Sequence, residues 1–338
     1  MRIALVSDAW RPQLNGVVRT LTKTTTELQA LGHEVHPITP EPYPTIACPT
    51  YPEIRLALVS GRRIADAIEA TAPDAIHIST EGPLGIAARR YCLRRSLAFT
   101  TAYHTRFPEY IWARFGVPLR LTYALLRRFH GAGQALMVAT PAVERELARR
   151  GFRNLKRWSR GVDADLFTPE RRGQWSDLPR PIFLTVGRLA VEKNVAAFLD
   201  LDLPGSKVVV GEGPQLAEMR RRYPKVHFVG KREGVDLARC YAAADVFVFP
   251  SRTDTFGLVL LEALAAGVPV AAYPVAGPID VIGDAPVGRL DHDLRRAALQ
   301  CLEIPRKACR DYALKFSWRA SAEQFLRNLV PIGGTATG

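Results

Sequence analysis

Several things are scarce or missing in this 338-residue chain, and each absence removes a class of protein. No apolar run approaches the ~18 residues of a membrane-spanning helix. The five cysteines, Cys48, Cys92, Cys240, Cys301 and Cys309, are scattered. They lack both the spacing of a zinc site and the density of a disulfide scaffold, so they are read as reduced thiols. No GxGxxG follows the first apolar segment; only Asn15-Gly16 stands there, so a nicotinamide fingerprint is absent. No recognised nucleic-acid module, stacking-aromatic motif or sequence repeat is present. Met1 leads directly into the strand-like Arg2–Ser7 rather than into a signal-peptide pattern, so a cytoplasmic chain, peripheral to the membrane, is the expectation.

What is present is an ordinary globular composition, 47% apolar and 23% charged, in a chain long enough for two domains. The net charge of +13 is uneven: residues 1–168 carry +9 and the remainder +4. A basic first half suits an anionic partner, such as a membrane surface, a phosphate-bearing ligand or nucleic acid; simple colloidal solubility is the plainer explanation.

The first half alternates strands and helices, as a parallel sheet requires. Arg2–Ser7 is a strand, and a helix starts at Gly16 and stops at Gly32. Glycine at that helix start lets a phosphate approach the backbone. Residues 40–53, rich in Pro and Tyr, are read as a loop. Strands follow at residues 73–78, 98–103 and 134–140, and His104 stands at the end of the second of these. Such strand ends are where this architecture holds ligands, although a structural histidine fits as well. From Ile111 to Phe129, apolar residues including Trp112 and Phe115 alternate with Arg120, Arg127 and Arg128. This basic amphipathic segment suits an anionic bilayer, and a helix packed on its own sheet gives the same pattern. Asp163-x-Asp165, Asp200-x-Asp202 and Asp291-x-Asp293 are weak metal signals.

A polar linker at 170–180 precedes a second strand set. Strand 182–187 leads into a loop with Arg188 and Lys193, two cations suited to a diphosphate gaining charge. Lys231 follows the strand at 226–230, and a short helix is expected at 240–245. Val246–Pro269 then reads strand, loop, helix, with Asp254 in the loop and Glu262 one turn into the helix. The N–H groups of Phe256, Gly257 and Leu258 lack helical acceptors and suit an anion. The alternative is a capped helix with Glu262 as a solvated surface acid.

Asp254, Thr255, Phe256, Gly257 and Glu262 resemble the E-x7-E signature of retaining family 4 glycosyltransferases, with Asp in place of the usual first Glu. The resemblance extends from Met1 to about Leu329 and takes in the loop with Arg188 and Lys193, His104 and the GVDxxxF-like residues 161–167. It implies an α/β GT-B fold: two Rossmann-like doubly wound domains facing across a cleft. The first would be residues 1–168 plus a returning C-terminal helix at 316–330, and the second residues 169–315. It further implies that Arg188 and Lys193 stabilise the leaving diphosphate and that Asp254 and His104 orient the sugar. Glu262 would hold the ribose; Gly16, Lys231, Phe256, Gly257 and Leu258 would complete the donor site. No metal or other cofactor is implied.

Ser7–Leu21 and Tyr103-His104-Thr105 resemble the subgroup of sulfoquinovosyl-diacylglycerol synthases and GDP-mannose-dependent lipid mannosyltransferases. The acceptor implied is diacylglycerol-like, at the inner face of the cytoplasmic membrane. UDP-glucuronate, UDP-glucose and GDP-mannose all stay open as donors. The rival readings are transfer to a soluble or polysaccharide acceptor, a non-catalytic nucleotide-sugar binder, and a nucleic-acid binder.

Overall fold

The computed structural model describes residues 1–13, 15–48, 51–171 and 173–333; most of the expected frayed tail, residues 334–338, lies outside them. The chain divides into two compact units, Met1–Ser159 with Trp318–Gly338, and Arg160–Ser317. The boundary expected at 168/169 therefore falls inside the second unit. The Arg160–Thr168 stretch goes with that unit through contacts such as Val162 N–H to the Phe316 carbonyl at 3.0 Å.

Unit 1 contains β1 (Arg2–Val6), α1 (Gly16–Ala30), β2 (Glu34–Ile38), β3 (Thr45–Cys48), β4 (Tyr51–Ala57), α2 (Gly61–Ala70) and β5 (Ala75–Ile78). It continues with α3 (Pro83–Arg94), β6 (Thr100–Tyr103), α4 (Phe107–Phe115), α5 (Leu119–His130), β7 (Ala135–Val138), α6 (Pro141–Arg149) and β8 (Leu155–Arg157). Its sheet is parallel in the order β2-β1-β5-β6-β7-β8. Ile3, Leu5, Ile76, Ile78 and Met137 are fully buried. This is why the strands read as continuous apolar runs rather than alternating ones.

The expected 40–53 loop is corrected. β3 and β4 form an antiparallel hairpin with Thr45 opposite Ala57 and Ile46 opposite Leu56. The Arg55 side chain donates to Thr45 Oγ1 at 3.0 Å and ties the pair across the ladder. The prolines flank the paired residues Thr45–Cys48 and so left that pairing intact, while drawing attention to the turns.

Unit 2 contains β9 (Ile182–Val186), α7 (Ala196–Leu199), β10 (Ser206–Val210), α8 (Leu216–Arg222), β11 (His227–Gly230), α9 (Gly234–Ala243) and β12 (Val246–Phe249). It then adds α10 (Leu258–Ala265), β13 (Val270–Ala272), α11 (Pro278–Val281), β14 (Gly288–Leu290), α12 (Leu294–Cys301) and α13 (Arg306–Ala313). The sheet is parallel, ordered β11-β10-β9-β12-β13-β14. Counted within the unit this is 3-2-1-4-5-6, the doubly wound order whose direction reverses between the first and fourth strands. The short helix expected at 240–245 is α9, which begins at Gly234 and buries Leu237, Ala238, Cys240 and Tyr241. Gly234 and Asp236 in its first turn masked the helical period.

The last helix, α14 (Trp318–Asn328), belongs to unit 1 and packs against α1. Ser321 Oγ donates to the Ser159 carbonyl at 2.8 Å, and Asn328 Nδ2 to the Arg157 carbonyl at 2.7 Å. Phe325 fills the space beside Trp158, with ring centroids 4.8 Å apart. The returning helix is thus fixed by both polar and aromatic contacts.

Candidate functional site

In an open parallel sheet the loops beyond neighbouring strands diverge where the winding reverses, leaving a crevice at their carboxyl ends. In unit 2 the strands at that point are β9 and β12. The loop after β9 carries Arg188 and Lys193; the loop after β12 carries Asp254 and leads into α10. Residues far apart in sequence therefore meet here. Lys193 Nζ lies 2.6 Å from Asp254 Oδ1, with the two side chains 27% and 17% exposed. Asn194 Nδ2 donates to the Pro250 carbonyl at 3.1 Å, and Thr253 Oγ1 to the Glu192 carbonyl at 3.1 Å. Asn194 adopts φ +52°, a left-handed conformation that Asn tolerates better than most residues. Arg188 stands half-buried near the start of the same loop.

Gly257 precedes α10 with φ +84°, and no side chain caps that helix end. A Cβ on Gly257 would lie 3.1 Å from Leu260 Cδ1, on a backbone conformation that L side chains rarely adopt. Phe256 is buried, and Leu258 is the first helical residue. Glu262 is 3% exposed and accepts a hydrogen bond from the buried Tyr241 hydroxyl at 3.0 Å. The alternative of a solvated surface acid is thereby excluded. Lys231 follows the edge strand β11, two strands away from β9, and pairs with Glu233 at 2.9 Å.

The DxD-like pairs all have structural partners. Asp163 Oδ1 accepts the Leu166 N–H at 3.1 Å, Asp200 accepts the Tyr223 hydroxyl at 2.6 Å, and Asp291 accepts Arg296 Nε at 2.6 Å. Among the described residues there is no group of three or more His, Cys, Asp or Glu that could hold a metal ion.

In unit 1 the corresponding reversal lies between β1 and β5. His104 follows β6, half-buried, its ring 5.5 Å from that of Trp158 in an edge-on arrangement. Gly16 is exposed and opens α1, but Asn15 Oδ1 already accepts the Val17 and Val18 N–H groups at 3.0 Å each. Those amides are engaged within the protein, so α1 offers an anion less than its sequence suggested.

A residue the sequence reading passed over organises this end of unit 1. Asp8, 6% exposed, accepts the Leu84 N–H at 2.8 Å, the Gly85 N–H at 3.3 Å and the Thr80 hydroxyl at 2.8 Å. It thus caps α3 and joins the loops after β1 and β5. A Cβ on Gly82 would lie 2.4 Å from the Asp8 carboxyl carbon, so only glycine fits there. Burial raises the Asp8 pKa above the ordinary carboxylate value, against the lowering effect of these hydrogen bonds. Replacement by Asn turns one accepting oxygen into an NH2 facing an N–H donor. Asp8→Asn is expected to cost about 1–3 kcal/mol of stability, read by denaturant unfolding. Because the folded-state pKa is the higher one, the contribution of Asp8 is full below its unfolded pKa. It declines as pH rises through the folded pKa, so the deficit of the variant is largest in acid.

The amphipathic segment is a helical hairpin, α4 and α5, with its polarity partly inverted. Thr122 and Tyr123 are buried, while Phe107, Trp112, Phe115, Leu121 and Leu125 are 49–61% exposed. The inner side is held both by an apolar cluster, in which Leu119, Tyr123 and Leu126 pack with Val143, Leu147 and Phe152, and by charged contacts. Arg106 Nη2 lies 2.6 Å from Glu146 Oε2, and the Tyr123 hydroxyl donates to Glu109 Oε1 at 2.6 Å. The Arg150 guanidinium sits 3.8 Å from the centre of the Tyr123 ring. Arg120, Arg127 and Arg128 are exposed on α5. The placement of the Arg114 side chain lies outside the described residues. α5 thus packs on unit 1 through one apolar side, as the plainer reading expects, while Leu121 and Leu125 and the α4 residues Phe107, Trp112 and Phe115 leave a second apolar surface facing outward.

A doubly wound sheet with cations and an uncapped helix start at its switch point is the arrangement of nucleotide-binding α/β proteins. Residues 14–166 match the model of Glycosyltransferase Family 4, and residues 180–302 that of Glycosyl transferases group 1. The GDP-mannose-dependent alpha-mannosyltransferase of Mycobacterium tuberculosis is 30% identical, over 100% of this chain and 98% of that protein. Sulfoquinovosyl transferase SQD2 of Arabidopsis thaliana is 30% identical over 83% of this chain and 61% of its own length. The sucrose-phosphate synthase structure from Thermosynechococcus elongatus superposes with a TM-score of 0.77 at 24% identity, covering 96% of this chain and 97% of that one. That likeness shows the fold, GT-B. The chain belongs to the family 4 glycosyltransferases, and it is a hexosyltransferase using a nucleotide-sugar donor.

Proposed function

We propose that the protein transfers a neutral or acidic hexose (glucose, mannose or glucuronate) from a UDP- or GDP-sugar to a diacylglycerol-type lipid, with retention of configuration. The observation that carries the lipid part is the outward apolar face of α4 and α5, set among exposed arginines. Such a surface matches an anionic bilayer by apolar burial and by charge together. The segment before it carries His104, at the carboxyl end of β6, so docking the hairpin brings a strand end of unit 1 close to the lipid surface. Among the described residues no helix is long and apolar enough to cross a membrane, so the contact proposed is peripheral.

In this reading the bond from the sugar C1 to the diphosphate oxygen breaks with its electron pair moving to the phosphate. Arg188, Lys193 and the amides at the start of α10 stabilise that growing charge, so no divalent metal is required. The acceptor hydroxyl attacks C1 from the face the diphosphate leaves, and its proton passes to the departing phosphate oxygen. Asp254 and His104 orient the sugar. Glu262, held by Tyr241, meets the ribose, and Lys231, Phe256, Gly257, Leu258 and Gly16 complete the donor's surroundings. The relatives support this scheme: the mycobacterial protein is named for GDP-mannose, and an alpha-monoglucosyldiacylglycerol synthase of Streptococcus pneumoniae is 27% identical over 89% of this chain. The product tests the stereochemistry: NMR of the glycolipid formed from an α-linked donor is expected to show an α-anomer, and a β-anomer would overturn the scheme.

A further inference from the structure

The Lys193–Asp254 ion pair joins two groups that the proposed function assigns to different parts of the donor. Lys193 serves the diphosphate and Asp254 the sugar, yet the ammonium and Oδ1 are 2.6 Å apart. The other carboxylate oxygen, Oδ2, is buried and meets no hydrogen-bond donor among the described residues. Asp254 cannot retreat to solvent easily: its side chain is 17% exposed, and the loop is pinned by Thr253 to Glu192 and by Asn194 to Pro250. A Cβ on Gly277 would lie 3.3 Å from the Asp254 carbonyl, so the backbone is also packed from the far side.

We infer that Asp254 competes with the donor diphosphate for Lys193, and that this competition makes the site favour a nucleotide sugar over the bare nucleotide diphosphate. A diphosphate that draws Lys193 toward itself strips Oδ1 of its counter-charge, beside an Oδ2 that already lacks a donor. A partly buried carboxylate in that condition is costly. A sugar hydroxyl placed at Asp254 supplies the missing donor; a nucleotide diphosphate without a sugar does not. Once the sugar has left, the Lys193–Asp254 pair re-forms and helps expel the product. Asp254 is then a positioning residue for Lys193 as well as a contact for the sugar. This rests on the donor-site assignment of the proposed function.

The test is calorimetric, with UDP, GDP, UDP-glucose and GDP-mannose titrated into wild type, Asp254→Asn, Lys193→Gln and the double variant. For the nucleotide that binds, Asp254→Asn is expected to tighten the bare diphosphate on the order of tenfold, a modest figure because the pair is part exposed. The same variant is expected to weaken the matching nucleotide sugar. In the Lys193→Gln background the tightening should vanish, because the competition needs the lysine. If the tightening persists there, it is simple relief of carboxylate–phosphate repulsion, and the competition is overturned. Unchanged or weaker diphosphate binding in Asp254→Asn overturns it too. Should that variant fail to fold, Asp254→Ser is read by the same criteria. If wild type binds none of the four ligands, the donor-site reading itself falls, and the inference with it.

Discussion

Replacing Arg188 with Ala is expected to lower kcat by about 10²–10³-fold while changing donor affinity far less. In the proposed mechanism the guanidinium faces a phosphate group whose charge rises as the sugar departs, so most of its stabilisation would be realised in the transition state. A planar guanidinium fork can meet two phosphate oxygens at once, which the single ammonium of Lys cannot reproduce, so Arg188→Lys should recover only part of the loss. Arg188 sits half-buried at the carboxyl end of β9, where the field of each charge is less screened than at an open surface. Steady-state kinetics at saturating donor, with donor dissociation constants measured separately, checks this. Weakened donor affinity with kcat unchanged at saturating donor would mean that Arg188 serves ground-state binding only.

The second large effect concerns the hairpin. Trp112→Ser combined with Leu125→Ser is expected to weaken binding to phosphatidylglycerol vesicles on the order of 10–100-fold, since both side chains would leave the interface. Trp112 and Leu125 are 56% and 61% exposed, so removing them leaves the core intact, and the melting temperature should stay within a degree or two of wild type. A separate Arg120→Gln, Arg128→Gln variant should lose the salt-sensitive share of binding, about 1 kcal/mol per arginine near an anionic surface. Trp112 provides a direct signal: its emission should shift to the blue on vesicle binding and be quenched by brominated lipid chains. Vesicle binding that survives the Trp112 and Leu125 changes would place the contact elsewhere on the protein.

Much of this architecture was legible because buried parallel strands are written as short apolar runs, such as Val246–Phe249, with loop residues at their carboxyl ends. Arg188, Lys193, Asp254 and His104 could be picked out for that reason. What stayed hidden depends on long-range contact. Lys193 and Asp254 are 61 positions apart, and nothing local announces that they pair. Asp8 reads as an ordinary loop acid until the fold brings Thr80, Leu84 and Gly85 to its carboxylate. Tyr241 falls within the helix expected at 240–245, but its bond to Glu262, 21 positions on, is a tertiary contact with no local sign. The α4–α5 segment shows a different limit: helical periodicity reveals that two faces exist, but only packing decides which one is buried. Asn194 had a readable signal in its tolerance of left-handed backbone, and Gly16 is a case where a neighbouring cap, Asn15, altered what the residue offers.

Sugar transfer by the purified protein, from a panel of UDP- and GDP-sugars, tests the lipid-transferase reading most directly. Diacylglycerol in phosphatidylglycerol vesicles would be offered beside soluble oligosaccharide acceptors, each with and without EDTA. The expected result is transfer from one donor to the lipid, undiminished by EDTA and reduced when the vesicles are made neutral. Transfer confined to a soluble acceptor would contradict the lipid assignment, and loss of activity in EDTA would contradict a diphosphate held by Arg188, Lys193 and backbone amides alone.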